Sequence, residues 1–150
     1  MTQQRITVIR GDGIGPDIID ATTKILDKVG CDFAYDYADA GLVALEEHGE
    51  LLPQETLDLI AKNKVALKGP LTTPVGEGFT SINVSLRKQF KLYANLRPVL
   101  SFKGTKARYE DIDIITVREN TQGMYSGLGQ VVSEDGNEAE AMSKITRDGA

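Results

Sequence analysis

The fold is decided by the stretch Arg5-Ile6-Thr7-Val8-Ile9-Arg10-Gly11-Asp12-Gly13-Ile14-Gly15-Pro16. Its first half is rich in β-branched residues, which predicts a strand. Pro16 suits the first turn of a helix and Gly30 suits its end, so the glycine-rich turn joins a strand to a helix. The apolar face of that helix is expected at Ile18, Thr22, Ile25 and Val29, with Ile19 and Leu26 beside it.

The same alternation continues after Gly30. Residues 33–37 alternate like a strand, residues 41–48 and the segment after Pro53 have helical patterns, and residues 65–67 form a short apolar strand. Alternating strands and helices predict βαβ units and a largely parallel sheet. The first part of the chain is therefore expected to have an α/β fold.

The later part of the chain is less regular. Residues 69–80 lack periodicity, and long irregular loops are often functional. A helix is predicted at about 83–91, followed by strands near 93–97 and at 112–117. Glycine turns after Tyr125 indicate hairpins, whereas residues 138–147 are compatible with a helix or a strand.

No closing element is evident near the end of the sequence. A sheet that begins in this way usually needs further strands, so we expect the chain to be the N-terminal part of a larger protein.

The composition excludes several classes of protein. The 150 residues are 41% hydrophobic and 26% charged, which is typical of a globular protein and not of a disordered one. A formal net charge of −5 argues against a nucleic-acid partner. No apolar run is long enough to span a bilayer and the N-terminus lacks an apolar signal core, so we expect no membrane partner and a cytoplasmic location. A single cysteine, Cys31, and a single histidine, His48, argue against a disulfide framework and a zinc site.

The glycine turn has two interpretations. It occupies the place of a dinucleotide-binding fingerprint, but its glycines are spaced G-x-G-x-G and not G-x-G-x-x-G. It is either a phosphate cradle or a tight turn with positive φ angles.

Three arginines stand where a parallel sheet places ligands. Arg87 follows Asn83 by four residues on one predicted helical face, whereas Arg97 and Arg118 lie at or after strand ends. Because guanidinium groups bind carboxylates through paired hydrogen bonds, these arginines suit a substrate with several carboxylates. The alternative is three separate surface ion pairs. Tyr125 is either a general acid or base beside a cationic pocket or a half-buried structural residue.

Five motifs occur in the order in which a known family has them. They are Gly11-Asp12-Gly13-Ile14-Gly15-Pro16, Lys68-Gly69-Pro70-Leu71-Thr72-Thr73-Pro74, Ser81-Ile82-Asn83-Val84-Ser85-Leu86-Arg87, Leu92-Tyr93-Ala94-Asn95-Leu96-Arg97-Pro98 and Val117-Arg118-Glu119-Asn120-Thr121-Gln122-Gly123-Met124-Tyr125. Together they resemble the isocitrate/isopropylmalate dehydrogenase family of β-decarboxylating dehydrogenases, and within it the NAD-dependent isocitrate dehydrogenase branch. The resemblance runs from about residue 5 to the end of the chain.

The resemblance implies a particular α/β fold that is not a Rossmann domain. It comprises a large α/β domain, a smaller domain and a clasp through which two subunits interlock. Residues 1–92 would form the N-terminal part of the large domain, residues 93–125 the start of the small domain and residues 126–150 the start of the clasp. The implied partner is a second copy, in a homodimer or a higher homo-oligomer.

The resemblance also implies roles for single residues. The substrate-binding set would be Thr73, Ser81, Asn83, Arg87, Arg97 and Arg118. The arginines would bind carboxylates, whereas Ser81 and Asn83 would bind the carboxylate that isocitrate has and isopropylmalate lacks. Thr72 would meet the nicotinamide side of the cofactor. Tyr125 would be the catalytic residue that protonates the enol after decarboxylation.

The activity implied by the resemblance is oxidation of isocitrate by NAD, followed by loss of CO₂ and formation of 2-oxoglutarate. A bound Mg²⁺ or Mn²⁺ would polarise the C2 oxygen, and its ligands and the catalytic lysine are expected beyond residue 150. We therefore expect the 150-residue chain to be inactive alone.

Several alternatives stay open. The substrate could be a related 2-hydroxy acid, homoisocitrate or isopropylmalate. The chain could also be a non-catalytic module that binds tricarboxylates or pairs with a complementary chain. Ser81 matches a serine that is phosphorylated in some bacterial relatives, where a phosphate would repel a substrate carboxylate. Gln122 stands where many relatives carry Glu, which removes one charge from this loop.

Overall fold

The computed structural model describes residues 3–74, 81–123 and 128–147. The chain divides into two compact units, Met1–Asn83 and Val84–Ala150. No helix among the described residues is long and apolar enough to cross a membrane. Tyr125, the predicted proton donor, lies outside the described residues.

The first unit is built on a parallel sheet. Its elements in chain order are β1 (Gln4–Ile9), α1 (Gly15–Lys28), β2 (Phe33–Ala38), α2 (Leu42–His48), α3 (Gln54–Asn63) and β3 (Ala66–Lys68). Strand β1 pairs in parallel with both neighbours, which gives the order β2-β1-β3. The strand–helix alternation and the parallel sheet that the sequence predicts are confirmed.

The core of this unit lies around β1, because β1 is the central strand. Ile6 and Val8 on one face of β1 form a cluster with Ile19 of α1, against which Phe33, Tyr35 and Leu67 pack. Thr7 points to the opposite face, where its hydroxyl accepts a hydrogen bond from the Asn63 carboxamide of α3 at 3.1 Å. Helices therefore cover both faces of the sheet, as is usual for parallel sheets.

The face of α1 that the sheet buries differs from the expected one. Ile18, Ile25 and Val29 are 44%, 62% and 69% exposed. The buried positions are Gly15, Ile19 and Thr23. The reason lies in the turn before the helix: a Cβ on Gly15 would lie 2.3 Å from the carbonyl oxygen of Arg10, so only this glycine can approach the end of β1. The face that begins with Gly15 is thereby turned toward the sheet.

The second unit contains antiparallel strands. Helix α4 (Ile82–Gln89) begins at the division between the two units and precedes β4 (Ala94–Leu100). β4 pairs along its whole length with β5 (Asp113–Glu119), and we call this pair the β4–β5 ribbon. The helix at about 83–91 and the two strands are confirmed, and both strands extend beyond their predicted ends.

A short hairpin follows in the described residues 128–147. It pairs β6 (Val131–Val132) with β7 (Ala139–Glu140). In the turn between them, the Asp135 carboxylate accepts hydrogen bonds from the Ser133 hydroxyl at 2.5 Å and the Asn137 side chain at 2.8 Å. These bonds lower the pKa of Asp135 to about 2. Of the two alternatives for residues 138–147, the structure contains the strand, at Ala139–Glu140.

Candidate functional site

The backbone of the glycine-rich turn lies directly against the backbone of the Lys68–Pro74 motif. Ile9 accepts a hydrogen bond from the Gly69 amide at 2.8 Å, and Pro70 accepts one from the Asp12 amide at 2.8 Å. A Cβ on Gly11 would lie 2.1 Å from the Pro70 carbonyl oxygen. Gly11 has a φ of 77° and Gly13 a φ of 58°. The second interpretation of the turn, a tight connection with positive φ angles, is confirmed, and the close backbone approach explains the glycine at position 11.

The two threonines of the second motif are held by different neighbours. The Thr72 amide donates to Asp12 Oδ2 at 2.6 Å, and the Thr72 residue as a whole is exposed. The Thr73 hydroxyl accepts a hydrogen bond from the Ile82 amide at 3.3 Å. The structure thus brings Thr73 to the start of α4, next to the third motif.

The third motif lies on and before α4. Ser81 is exposed directly before the helix, Asn83 is half-buried in its first turn, and Arg87 is half-buried one turn later. Asn83 and Arg87 share one helical face because they are four residues apart. Ile82 and Leu86, which directly precede Asn83 and Arg87 in sequence, are 2% and 9% exposed.

The other two arginines lie together on the β4–β5 ribbon. Arg97 is opposite Thr116 and Arg118 is opposite Asn95. Arg97 and Arg118 are therefore diagonal neighbours on the same face, with Cα atoms about 7–8 Å apart. The Arg97 guanidinium donates to the Asn95 carboxamide oxygen at 3.3 Å, which orients it along the strand. Two cations on one polar face form a surface that suits an anion with more than one carboxylate.

The turn after β5 is organised by Glu119. Its carboxylate accepts hydrogen bonds from the Thr121 hydroxyl and amide, both at 2.6 Å, and from the Gln122 amide at 3.0 Å. These bonds hold the pKa of Glu119 below its ordinary value, and the bond from the Thr121 hydroxyl contributes most. Glu119 is thus a structural acceptor in this turn.

Gln122 has a structural role that the motif alone did not reveal. Its side-chain amide donates to the Thr146 hydroxyl at 2.9 Å, and its carbonyl oxygen accepts from the Thr146 amide at 2.8 Å. An amide makes both bonds because it carries a donor and an acceptor, whereas an ionised carboxylate offers acceptors only.

Two polar residues to which the sequence analysis assigned no role, Asp12 and Asn120, are buried in the structure. Asp12 is 7% exposed and binds three backbone amides. Asn120 is 4% exposed, and its carboxamide oxygen has no hydrogen-bond partner within residues 3–74, 81–123 and 128–147. Both residues stand inside quoted motifs, but burial is a property of the folded chain and left no signal in the spacing.

Among the residues that the structure describes, the five motifs contain no group of three possible metal ligands close together. The described residues contain one group of three possible ligands, formed by the exposed side chains of Asp39, Glu47 and His48. His48 Nε2 lies 3.8 Å from an oxygen of each carboxylate. None of the three belongs to the five motifs, so this group is separate from the predicted substrate-binding set. The exposed Thr72, by contrast, is compatible with contact to a bound cofactor.

Comparison with protein-family models matches residues 5–149 to the family described as isocitrate/isopropylmalate dehydrogenase. The chain belongs to this family. Among solved structures, the isocitrate dehydrogenase from Methylococcus capsulatus is 46% identical with a TM-score of 0.88, over 97% of this chain and 44% of that one. The α/β fold of the isocitrate/isopropylmalate dehydrogenase family, predicted from the motifs, is thereby confirmed.

Curated relatives come from more than one branch of the isocitrate/isopropylmalate dehydrogenase family. A probable mitochondrial isocitrate dehydrogenase [NAD] subunit alpha from Caenorhabditis elegans is 44% identical over 125 residues, which are 83% of this chain and 35% of the relative. A chloroplastic 3-isopropylmalate dehydrogenase from Solanum tuberosum is 41% identical over 143 residues, which are 95% of this chain and 40% of the relative. The chain thus spans little more than a third of the curated relatives that it matches.

The expected cytoplasmic location is wrong. The NAD isocitrate dehydrogenase relatives from animals and plants are named as mitochondrial proteins, which points to mitochondria. The expectation failed because the lack of an apolar signal core argues only against a secretory signal peptide. Mitochondrial transit peptides are instead amphipathic and rich in arginine.

Proposed function

We propose that this chain is the N-terminal part of an NAD-dependent isocitrate dehydrogenase, which oxidises isocitrate and decarboxylates the product to 2-oxoglutarate. The observation that carries the proposal is the shared face of Arg97 and Arg118, which are diagonal neighbours on adjacent strands with Cα atoms about 7–8 Å apart. The sequence similarity to NAD isocitrate dehydrogenase subunits supports the same activity.

In this proposal Arg87, Arg97 and Arg118 bind substrate carboxylates through charge-assisted hydrogen bonds. Ser81 and Asn83 bind the carboxylate that distinguishes isocitrate from isopropylmalate. A polar pair of this kind discriminates strongly, because an apolar analogue leaves both groups without partners. Thr73 adds a substrate contact, and Thr72 contacts the nicotinamide side of NAD.

NAD, when bound, would accept the hydride from C2 of the substrate, while the C2 hydroxyl would lose its proton to a base in the remainder of the protein. The residues of this chain then hold the resulting β-keto acid by its remaining carboxylates while CO₂ leaves. Tyr125 delivers a proton to the enol carbon and thereby forms 2-oxoglutarate. A Tyr125→Phe variant of the complete enzyme should lose about 10²- to 10⁴-fold in kcat. The KM for isocitrate should change little, and a kcat equal to that of the wild type would refute the role of Tyr125.

We also propose the family's domain organisation for the whole protein. Residues 1–92 belong to the large domain, residues 93–125 start the small domain and residues 126–150 start the clasp. Through the clasp, two copies form a homodimer or a higher homo-oligomer.

The proposed substrate is tested by steady-state kinetics of the enzyme encoded by the complete reading frame. Isocitrate, homoisocitrate and isopropylmalate are compared at saturating NAD. We expect the highest kcat/KM with isocitrate, because the site presents Ser81 and Asn83 and not apolar side chains. A higher kcat/KM with isopropylmalate or homoisocitrate would replace the proposed substrate.

A further inference from the structure

The carboxylate of Asp12 connects two segments that are far apart in sequence. Its Oδ1 accepts hydrogen bonds from the amides of Leu42 at 2.9 Å and Val43 at 3.3 Å. Its Oδ2 accepts one from the Thr72 amide at 2.6 Å. Since Asp12 is 7% exposed, these backbone donors replace the water that an ionised carboxylate needs.

On one side, Asp12 takes the place of an N-cap residue for α2. Gly41 precedes the helix and provides no side-chain cap, so the first amides of α2 would otherwise lack acceptors. A Cβ on Gly41 would lie 2.2 Å from Asp12 Oδ2, so a larger residue there would have to displace the carboxylate. The carboxylate therefore fits closely against the beginning of α2.

On the other side, Asp12 continues the pairing between β1 and β3 beyond the sheet. Ile9 pairs with Lys68 as the last pair of the two strands. Beyond it, the Asp12 amide donates to Pro70 at 2.8 Å, and the Asp12 carboxylate accepts from Thr72 at 2.6 Å. The backbone of the 69–72 segment is thus held as far as Thr72, whereas the Thr72 residue stays exposed.

We propose that Asp12 is a positioning residue of the reaction: it fixes the Thr72 backbone against the start of α2 and thereby orients Thr72 and Thr73 toward cofactor and substrate. This inference rests on the proposed function, because the roles of the two threonines come from it. Asp12 touches neither substrate nor cofactor in this proposal. It acts through the Thr72 amide.

The Asp12→Asn variant separates positioning from general stability. Asparagine carries one carbonyl oxygen and an NH₂ group that only donates. If its oxygen stays on the two amides of α2, its NH₂ faces the Thr72 amide, and two donors oppose each other. The loop then loses its tie, while the helix keeps its cap.

The experiment uses the enzyme encoded by the complete reading frame, as wild type, Asp12→Asn and Asp17→Asn. Asp17 is an exposed carboxylate in the first turn of α1 and serves as the matched control. Three quantities are measured: the melting temperature, kcat and KM for isocitrate and NAD, and deuterium exchange in peptides that contain Thr72. We expect Asp12→Asn to lower kcat/KM at least tenfold and to speed exchange at Thr72, at enzyme concentrations corrected for the folded fraction. Asp17→Asn should match the wild type in both.

The inference is overturned if Asp12→Asn exchanges faster at Thr72 but keeps the wild-type kcat/KM, or if its loss of activity only follows its loss of folded protein. It is also overturned if the Thr72 peptide of the wild type exchanges as fast as an unstructured peptide, a measurement that needs no variant to fold. A wild-type enzyme that does not oxidise isocitrate overturns the proposed function instead. Protection at Thr72 that Asp12→Asn removes would still establish the tie to Asp12.

Discussion

Arg97 and Arg118 lie on the same face of the β4–β5 ribbon, because Arg97 is opposite Thr116 and Arg118 is opposite Asn95 in the antiparallel register. A shift of the register by one residue would move one arginine to the other face, where Leu96 and Val117 are each 66% exposed. The pairing register of the two strands thus decides whether the two charges lie on one face of the ribbon.

Removal of one charge from this surface should weaken binding of isocitrate. For the complete enzyme with Arg97→Gln, we expect the KM for isocitrate to rise about 10- to 100-fold, which corresponds to the loss of one charge-assisted hydrogen bond. Arg97→Lys should have an intermediate effect, since it keeps the charge but loses the planar fork. Arg108→Gln, at an exposed cation in the loop after β4, is the control and should match the wild type. Equal KM values for Arg97→Gln and Arg108→Gln would contradict a role of Arg97 in binding.

Replacement of Gly69 should destabilise the first unit strongly. A Cβ at this position would lie 2.1 Å from the Arg10 carbonyl oxygen, a backbone atom that cannot move aside as a flexible side chain can. We expect Gly69→Ala to lower the free energy of unfolding by about 3 kcal/mol or more. In Gly30→Ala the new methyl group meets no atom within 4 Å and only the positive φ of 85° is strained, so the cost should be about 1–2 kcal/mol. Urea unfolding compares the two, and equal losses would show that the crossing tolerates a side chain.

The polar network that joins Arg5, Asp36 and Asn63 should make the free energy of unfolding depend on pH. The Asp36 carboxylate accepts hydrogen bonds from the Arg5 guanidinium and from the Asn63 side chain. Both bonds hold the pKa of Asp36 below its ordinary value, and the bond from Arg5 contributes most. The unfolded chain therefore binds this proton more readily than the folded one. The stabilisation is fully present above the unfolded pKa of about 3.9 and is lost as the pH falls through the folded pKa.

The Asp36→Asn variant isolates this contribution. The difference in free energy of unfolding between wild type and Asp36→Asn should shrink as the pH falls from about 6 toward 2, because both then carry a neutral group at position 36. Asp32→Asn, at an exposed carboxylate just before β2, is the control variant and is measured over the same range. A wild-type to Asp36→Asn difference that is independent of pH would contradict the network.

The 150-residue chain should show no turnover by itself. It spans 35% of a curated NAD isocitrate dehydrogenase subunit, and the metal-binding group and the catalytic lysine of the family are proposed to lie in the remainder. The purified chain is mixed with isocitrate, NAD and Mn²⁺, and NADH is followed by absorbance, with the complete enzyme as the positive control. Measurable isocitrate-dependent formation of NADH by the chain would contradict this prediction.

Short-range patterns predicted most of the secondary structure. The β-branched run before Gly11 became β1, and Pro16 and Gly30 enclose α1, because both signals act within a few residues. The buried face of α1 could not be predicted in this way. It depends on Gly15 at the crossing with β1, a contact whose closeness only the folded backbone reveals.

The candidate site, too, was predictable only in part from the sequence. The order of the five motifs was sufficient to indicate the family, and the resemblance in turn implied the arginine, serine and asparagine set. The arginines were also recognisable by their own chemistry, because a guanidinium group binds carboxylates in any fold. The role of Asp12 was not accessible, because its donors lie 30 and 60 residues away and become neighbours only when β1, β3 and α2 have packed.

The amino-acid order alone was therefore enough for most of the elements, the parallel arrangement of the first sheet and the identity of the chemical groups, since each follows from local propensity or from a residue's own functional group. The folded chain alone decided which face of α1 is buried, that Arg97 and Arg118 share a surface, and that a carboxylate at position 12 holds the backbone at position 72. The buried face of α1 depends on how closely Gly15 packs against the end of β1, which only the folded backbone shows. The other two facts depend on contacts between distant segments, and such contacts form only when packing has overcome the entropy of closing the intervening loops.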